Sequence, residues 1–142
     1  CLMVLPTGQI LVAGGSLVRI YTPADTSYSP DWAPRIRKFQ ARLRRGTSYT
    51  ITGQQFNGLS QAACFGDELE TSTNYPLVRL TNVASGHVFY ARTHDHSTMA
   101  VATGKQKVST NFDVPATMET GSTTLEIVAN GIPSTPVTVT VR

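Results

Sequence analysis

The stretch STTLEIVANGIPSTPVTVTV, Ser122 to Val141, consists of two alternating runs on either side of Asn130-Gly131. In its second half Val137, Val139 and Val141 point one way and Thr138 and Thr140 the other, the period-two pattern of a half-buried strand. Asn-Gly supplies the positive φ angles that a tight reversal requires. Gly131-Ile132-Pro133-Ser134 then ends one strand and launches the next.

The same pattern extends outward from this hairpin. SYTITGQQF (Ser48 to Phe56) alternates, and YPLVRLTN (Tyr75 to Asn82) sets Leu77, Arg79 and Thr81 against Val78 and Leu80. GHVFYAR (Gly86 to Arg92) sets Val88 and Tyr90 against Phe89 and Ala91, and KVSTNFDVP (Lys107 to Pro115) ends where a proline can close a strand. Asn57-Gly58, Ser85-Gly86, Gly104 and Thr120-Gly121 mark turns between these runs, and no segment carries a helical apolar stripe. The reading is all-β, a sandwich of about seven strands.

Composition agrees with this reading. The chain of 142 residues is the size of one domain with its own core, and 40% hydrophobic with 15% charged residues marks a folded rather than a disordered chain. No apolar run approaches the roughly 20 residues of a membrane-spanning helix, so no membrane span is expected. The first residue is Cys rather than Met and no basic leader follows, so the expectation is a fragment or a processed form. Two cysteines are too few for a disulfide framework or a zinc cluster; Cys64 is expected as a buried thiol and Cys1 as an incidental one.

The net charge is +3, but six of the twelve Lys and Arg residues fall in RIRKFQARLRRG, Arg35 to Gly46. As a helix, this segment would align Ile36, Phe39 and Leu43 and could bind membranes or acidic partners. As strand plus loop, Ile36 enters the sandwich and Leu43 to Gly46 leads into a turn, which suits an all-β chain better. Beyond Phe39 no aromatic residue is interleaved with the cations, so no nucleic-acid partner is expected.

Ahead of this segment, PADTSYSPDWAP (Pro23 to Pro34) has the composition of a linker. Before it, LPTGQILVAGG (Leu5 to Gly15) and VRIYTP (Val18 to Pro23) form a hairpin pattern interrupted by a double glycine. The expected division is therefore residues 1–23, an N-terminal β-hairpin remnant; 24–33, a linker; and 34–142, the sandwich.

These N-terminal motifs resemble the last part of a kelch-type propeller blade. The remainder resembles the immunoglobulin-like, early-set C-terminal domain of galactose oxidase-like and bacterial kelch-containing proteins. The matching residues are Ala33-Pro34-Arg35-Ile36, the run Gly46 to Ile51, Phe65-Gly66, the run Phe112 to Pro115, and the run Ala129 to Ser134. The resemblance implies a propeller of the same parent chain as partner and an extracellular, cell-surface or periplasmic location. It also implies a loop through the propeller axis that carries a copper-ligating histidine. By order along the chain that loop is DELETSTNYP, which holds Asp67, Glu68 and Glu70 but no histidine. The crosslinked Tyr-Cys pair and the other ligands would lie in propeller blades. No cofactor is therefore expected here, and copper only if the parent is an oxidase.

Three groups of candidate residues remain. In THDHS, His94 and His96 at spacing two would project from one side of an extended strand and could share a metal ion, with His87 or an acid from the 67–70 stretch as further ligand; a polar loop is the alternative. Trp32, Tyr75 and Tyr90 are candidates for carbohydrate binding. Ser60 lacks an evident base, and no nucleophile motif occurs, so no catalytic residue is assigned. The expected function is a non-catalytic accessory domain packed on a kelch-type propeller. The alternatives are a glycan or acidic-polymer binding module and a copper radical oxidase fragment without its propeller. An exposed patch on the N-terminal strands is expected to support a homodimer.

Overall fold

The computed structural model describes residues 1–25, 27–63 and 69–142. Its strands are β1 (Leu2–Val4), β2 (Ile10–Gly14), β3 (Leu17–Tyr21), β4 (Arg35–Lys38), β5 (Arg42–Leu43), β6 (Ser48–Gln54), β7 (Leu77–Asn82), β8 (Val88–Ala91), β9 (Thr93–His94), β10 (Val108–Asp113), β11 (Gly121–Ala129), β12 (Ile132–Pro133) and β13 (Val137–Val141). Among the described residues no helix is long and apolar enough to cross a membrane.

Two sheets face each other. One runs β4-β6-β10-β9; the other runs β5-β13-β11-β7-β8, with β12 folded back on the end of β11. Neighbours are antiparallel except β5 and β13, which run parallel through Arg42↔Thr140 and Leu43↔Val141. The chain changes sheet at β4 to β5, β5 to β6, β6 to β7, β8 to β9 and β10 to β11. A four-strand sheet of this connectivity opposed to one built on β7, β11 and β13 is the immunoglobulin-like sandwich. The alternation read from sequence sets the faces: Val78 and Leu80 of β7, Leu125 and Ile127 of β11, and Val139 and Val141 of β13 are buried, as are Ile51 and Phe112 from the facing sheet.

The basic segment is strand, bulge and strand rather than helix. Ile36 pairs with Gly53 and Lys38 with Thr52, so Arg37 is an extra residue and the edge kinks there. Gly53 is required at this point. A Cβ on it would lie 2.0 Å from the Arg35 carbonyl oxygen and 2.5 Å from the Phe56 ring. Leu43, read from sequence as leading into a turn, is instead a buried residue of β5.

A third sheet, β1-β2-β3, stands apart from the sandwich. The sequence suggested two strands here; β1 is a third, too short to show alternation. The connecting loop Pro6-Thr7-Gly8 closes with the Gly8 amide on the Leu5 carbonyl at 2.9 Å. Among the described residues of the 24–33 stretch, Pro30–Trp32 form a 3-10 turn capped by the Ser29 hydroxyl.

Candidate functional site

The junction between the N-terminal sheet and the sandwich is built from two turns that touch. At Gly131, φ is +74°, and its left-handed conformation with that of Asn130 (+52°) makes the two-residue hairpin loop for which Asn-Gly is favoured. A Cβ on Gly131 would lie 2.9 Å from Gly8 Cα and 3.0 Å from the Leu5 carbonyl oxygen, so glycine permits the backbones to meet. Asn130 ties this turn to the long β6-β7 loop. Its amide donates to Thr73 O (2.9 Å), its Nδ2 donates to Ser60 O (2.8 Å), and its Oδ1 accepts from Thr73 Oγ1 (3.0 Å).

That loop also extends the N-terminal sheet. Glu70 bridges Leu2 in parallel, and the Thr71 amide donates to Leu2 O at 2.9 Å, so the loop lies along the free side of β1. On the far side β3 is exposed along its whole length, Val18 at 69% and Ile20 at 59%. An edge strand with apolar side chains on both faces invites another strand or sheet. Two clefts flank the junction: one of about 300 Å³ between Met3, Leu5, Tyr75, Leu77 and Val128, the other of about 360 Å³ beside Tyr28, Trp32, Arg79 and Pro133.

The carbohydrate candidates do not form one platform. Trp32 lies at the second cleft and Tyr75 at the first. Tyr90 sits opposite Arg79 on the outer face of β8, where Arg79 and Glu126 form a half-buried ion pair at 2.9 Å. The Arg79 guanidinium is held above its ordinary pKa, chiefly by its hydrogen bond to Glu126.

The histidines are separated too. Asp95 has φ +50°, and this one left-handed residue reverses the strand alternation, so the pair does not share a side. His94 faces the outer side of β10. Its Nδ1 lies 2.8 Å from Asp95 Oδ2, and its Nε2 lies 3.1 Å from Asp113 Oδ1 and 3.2 Å from Ser48 Oγ. The hydrogen bond to Asp95, then that to Asp113, raises the pKa of His94, and both carboxyls are lowered, chiefly by His94. His96 turns to the inner side. Its Nδ1 lies 2.9 Å from Thr110 Oγ1, and its ring meets Tyr75 edge-on at 4.6 Å. Burial, then the charge of His94, lowers its pKa, and its Nε2 is buried without a partner. His87 belongs to a third place, with Nδ1 2.7 Å from Glu119 Oε1, whose other oxygen accepts from Ser85.

Ser48, His94 and Asp95 follow the order of a hydrolytic triad, but Asp113 occupies the Nε2 side and both carboxylates favour the imidazolium. Ser48 thus shares Nε2 with a carboxylate, and no ring nitrogen is dedicated to its hydroxyl as a triad requires. Among the described residues no group of three or more His, Cys, Asp or Glu is gathered that could hold a metal ion. The copper of the resembled oxidases does not fit the 67–76 loop, which offers no imidazole, and its Asp67 and Glu68 lie outside the described residues, as do Cys64, Phe65 and Gly66. Cys1 is a free, exposed thiol. Ser60 contributes its backbone oxygen to Asn130. What sequence reading missed is this backbone framework, the Leu2 to Glu70 pairing and the Asn130 tie. Asn130-Gly131 followed by a short apolar strand was its one visible signal.

No protein-family model matches the chain, and no curated protein matches it. Among solved structures, the crystal structure of the Lin-41 filamin domain is similar, at 17% identity over 72% of this chain and 83% of that one, with a TM-score of 0.36.

Proposed function

We propose that the chain is a non-catalytic, immunoglobulin-like accessory module of a larger secreted protein, with residues 1–23 forming part of a kelch-type propeller blade and 34–142 the domain packed against it. The observation that carries this reading is the incomplete N-terminal sheet. Propeller blades have four strands. Here three antiparallel strands are flanked on the β1 side by the 69–71 loop and left open along β3. The motif order Leu5-Pro6-Thr7-Gly8, Gly14-Gly15 and Tyr21-Thr22-Pro23, each at a strand end, supports the same reading. The 69–71 loop lies along the β1 edge of this sheet. In this chain it brings no histidine.

The test compares residues 1–142 with a chain extended through the coding sequence upstream of Cys1. The reading expects kelch-type repeats upstream, and outward-facing β3 amides that exchange fast in the short chain but slowly in the extended one. Val18→Lys/Ile20→Lys should leave the short chain's thermal stability unchanged and loosen the extended one. A different upstream fold, or equally fast exchange of β3 in both chains, overturns it. Slow exchange in the short chain that appears only at concentrations where light scattering shows a dimer assigns the edge to a second copy.

A further inference from the structure

We infer that the β4-β5 edge of the sandwich is a binding surface for a linear sulfated polysaccharide. The topology brings the outer strands of both sheets to one side, because β4 closes one sheet, β5 closes the other, and three residues join them. Along this seam Arg35, Arg37, Lys38, Arg42, Arg44 and Arg45 are all exposed, while Ile36, Phe39 and Leu43 turn toward the core. The bulge at Arg37 interrupts the alternation and leaves Arg37 and Lys38 both facing solvent. The result is a cationic ribbon along this side of the sandwich.

Little neutralises this ribbon. Among the described residues Arg35 has a carboxylate partner, Asp31 at 2.7 Å. Arg37 donates to the neutral Gln54 Oε1 at 3.1 Å, and Arg45 donates to the Met118 carbonyl oxygen at 3.4 Å. Half of the chain's Lys and Arg residues therefore stand on one seam of a molecule whose net charge is only +3. Cations on edge strands also discourage strand addition. Blunting an edge does not require charge to continue past β5 through Arg44 and Arg45, which a polyanion would use.

The surroundings select the class of polyanion. A bilayer would need apolar side chains to insert, and those of this segment face inward. Single-stranded nucleic acid would need exposed rings for base stacking. Phe39 packs on the core, and Tyr49 is half-buried with its hydroxyl accepting from the Arg44 amide at 2.8 Å. A flexible chain carrying closely spaced sulfates needs only a row of guanidinium and ammonium groups.

Heparin serves as the probe, with uncharged dextran as the control. The triple variant Lys38→Ser/Arg42→Ser/Arg44→Ser is compared with Arg19→Ser/Arg92→Ser/Lys107→Ser, which removes the same charge from exposed positions elsewhere. Wild type should bind heparin at low salt with an affinity that falls steeply as salt rises. The edge variant should lose about tenfold or more of that affinity, and the control variant should stay near wild type. On wild type itself, heparin should protect Lys38 but not Lys107 from acetylation, a readout independent of variant folding. Equal losses in the two variants, an edge variant that only self-associates, or no protection of Lys38 overturns the assignment. Displacement of heparin by a single-stranded oligonucleotide at equal charge overturns the choice of polysaccharide.

Discussion

Replacing Gly131 by Ala tests how the N-terminal sheet is held to the sandwich. Two costs arise. An L-residue at φ +74° loses about 1–2 kcal/mol relative to glycine. The new methyl would also lie 2.9–3.0 Å from Gly8 Cα, Leu5 O and Val4 Cγ1, and two of these are backbone atoms that cannot swing aside. Overpacking of this kind costs about 1–3 kcal/mol. Gly8→Ala is the matched control. Its φ is +83°, but the nearest atom to its Cβ is Gly131 O at an ordinary 3.8 Å, so it incurs the backbone cost alone. At about 3 °C per kcal/mol for a chain of this size, Gly131→Ala should lower Tm by about 10 °C and Gly8→Ala by about 5 °C. Hydrogen exchange read by mass spectrometry should show residues 1–21 opening faster in Gly131→Ala than in Gly8→Ala. Equal Tm losses with unchanged exchange over β1 would refute contact between the two turns.

Other outcomes follow from the packing and charge described above. Arg79→Ala leaves Glu126, whose side chain is 13% exposed, without its partner and should cost about 2 kcal/mol in urea unfolding, while Glu126→Gln should cost less. Gly53→Ala should cost about 3 kcal/mol by the same assay and accelerate amide exchange in β4, because its Cβ would overlap the Arg35 carbonyl. His94 is held above its ordinary pKa of 6.5, so its contribution to stability is full below pH 6.5 and is lost as pH rises through its folded value. Asp95 and Asp113 are held below 3.8, so theirs is present above that pH and is lost as pH falls through their folded values. The cluster therefore contributes most between about pH 4 and 6.5, and His94→Gln should flatten the fall of Tm on either side of that plateau, above 6.5 and below about 4. Ring resonances in NMR titrations should place the His94 midpoint above 6.5 and that of His96 below it.

The long strands were legible because burial imposes period two on them: β6, β7, β10, β11 and β13 lie where Ile51, Val78, Phe112, Leu125 and Val139 alternate with polar neighbours. The two-residue strands β5, β9 and β12 were not, since a period cannot be read from two residues. Asn130-Gly131 announced its turn, but nothing in sequence marked the Gly8 backbone as its contact. The two histidines do not share a side for one reason. Parity along a strand holds only while φ stays negative, and Asp95 breaks it. The basic segment was ambiguous because Ile36, Phe39 and Leu43 suit a helix face as well as two short strands joined by a crossing. Pairing with β6 and β13 decides between them.

The parallel seam between β5 and β13 sets how the sandwich would give way if its ends were pulled apart. The Thr140 amide donates to Ala41 O (2.8 Å), the Arg142 amide to Leu43 O (2.9 Å) and the Arg45 amide to Arg142 O (3.2 Å). Tension that draws the start of β5 one way and the end of β13 the other runs along both strands and across these bonds, so they yield together rather than one after another.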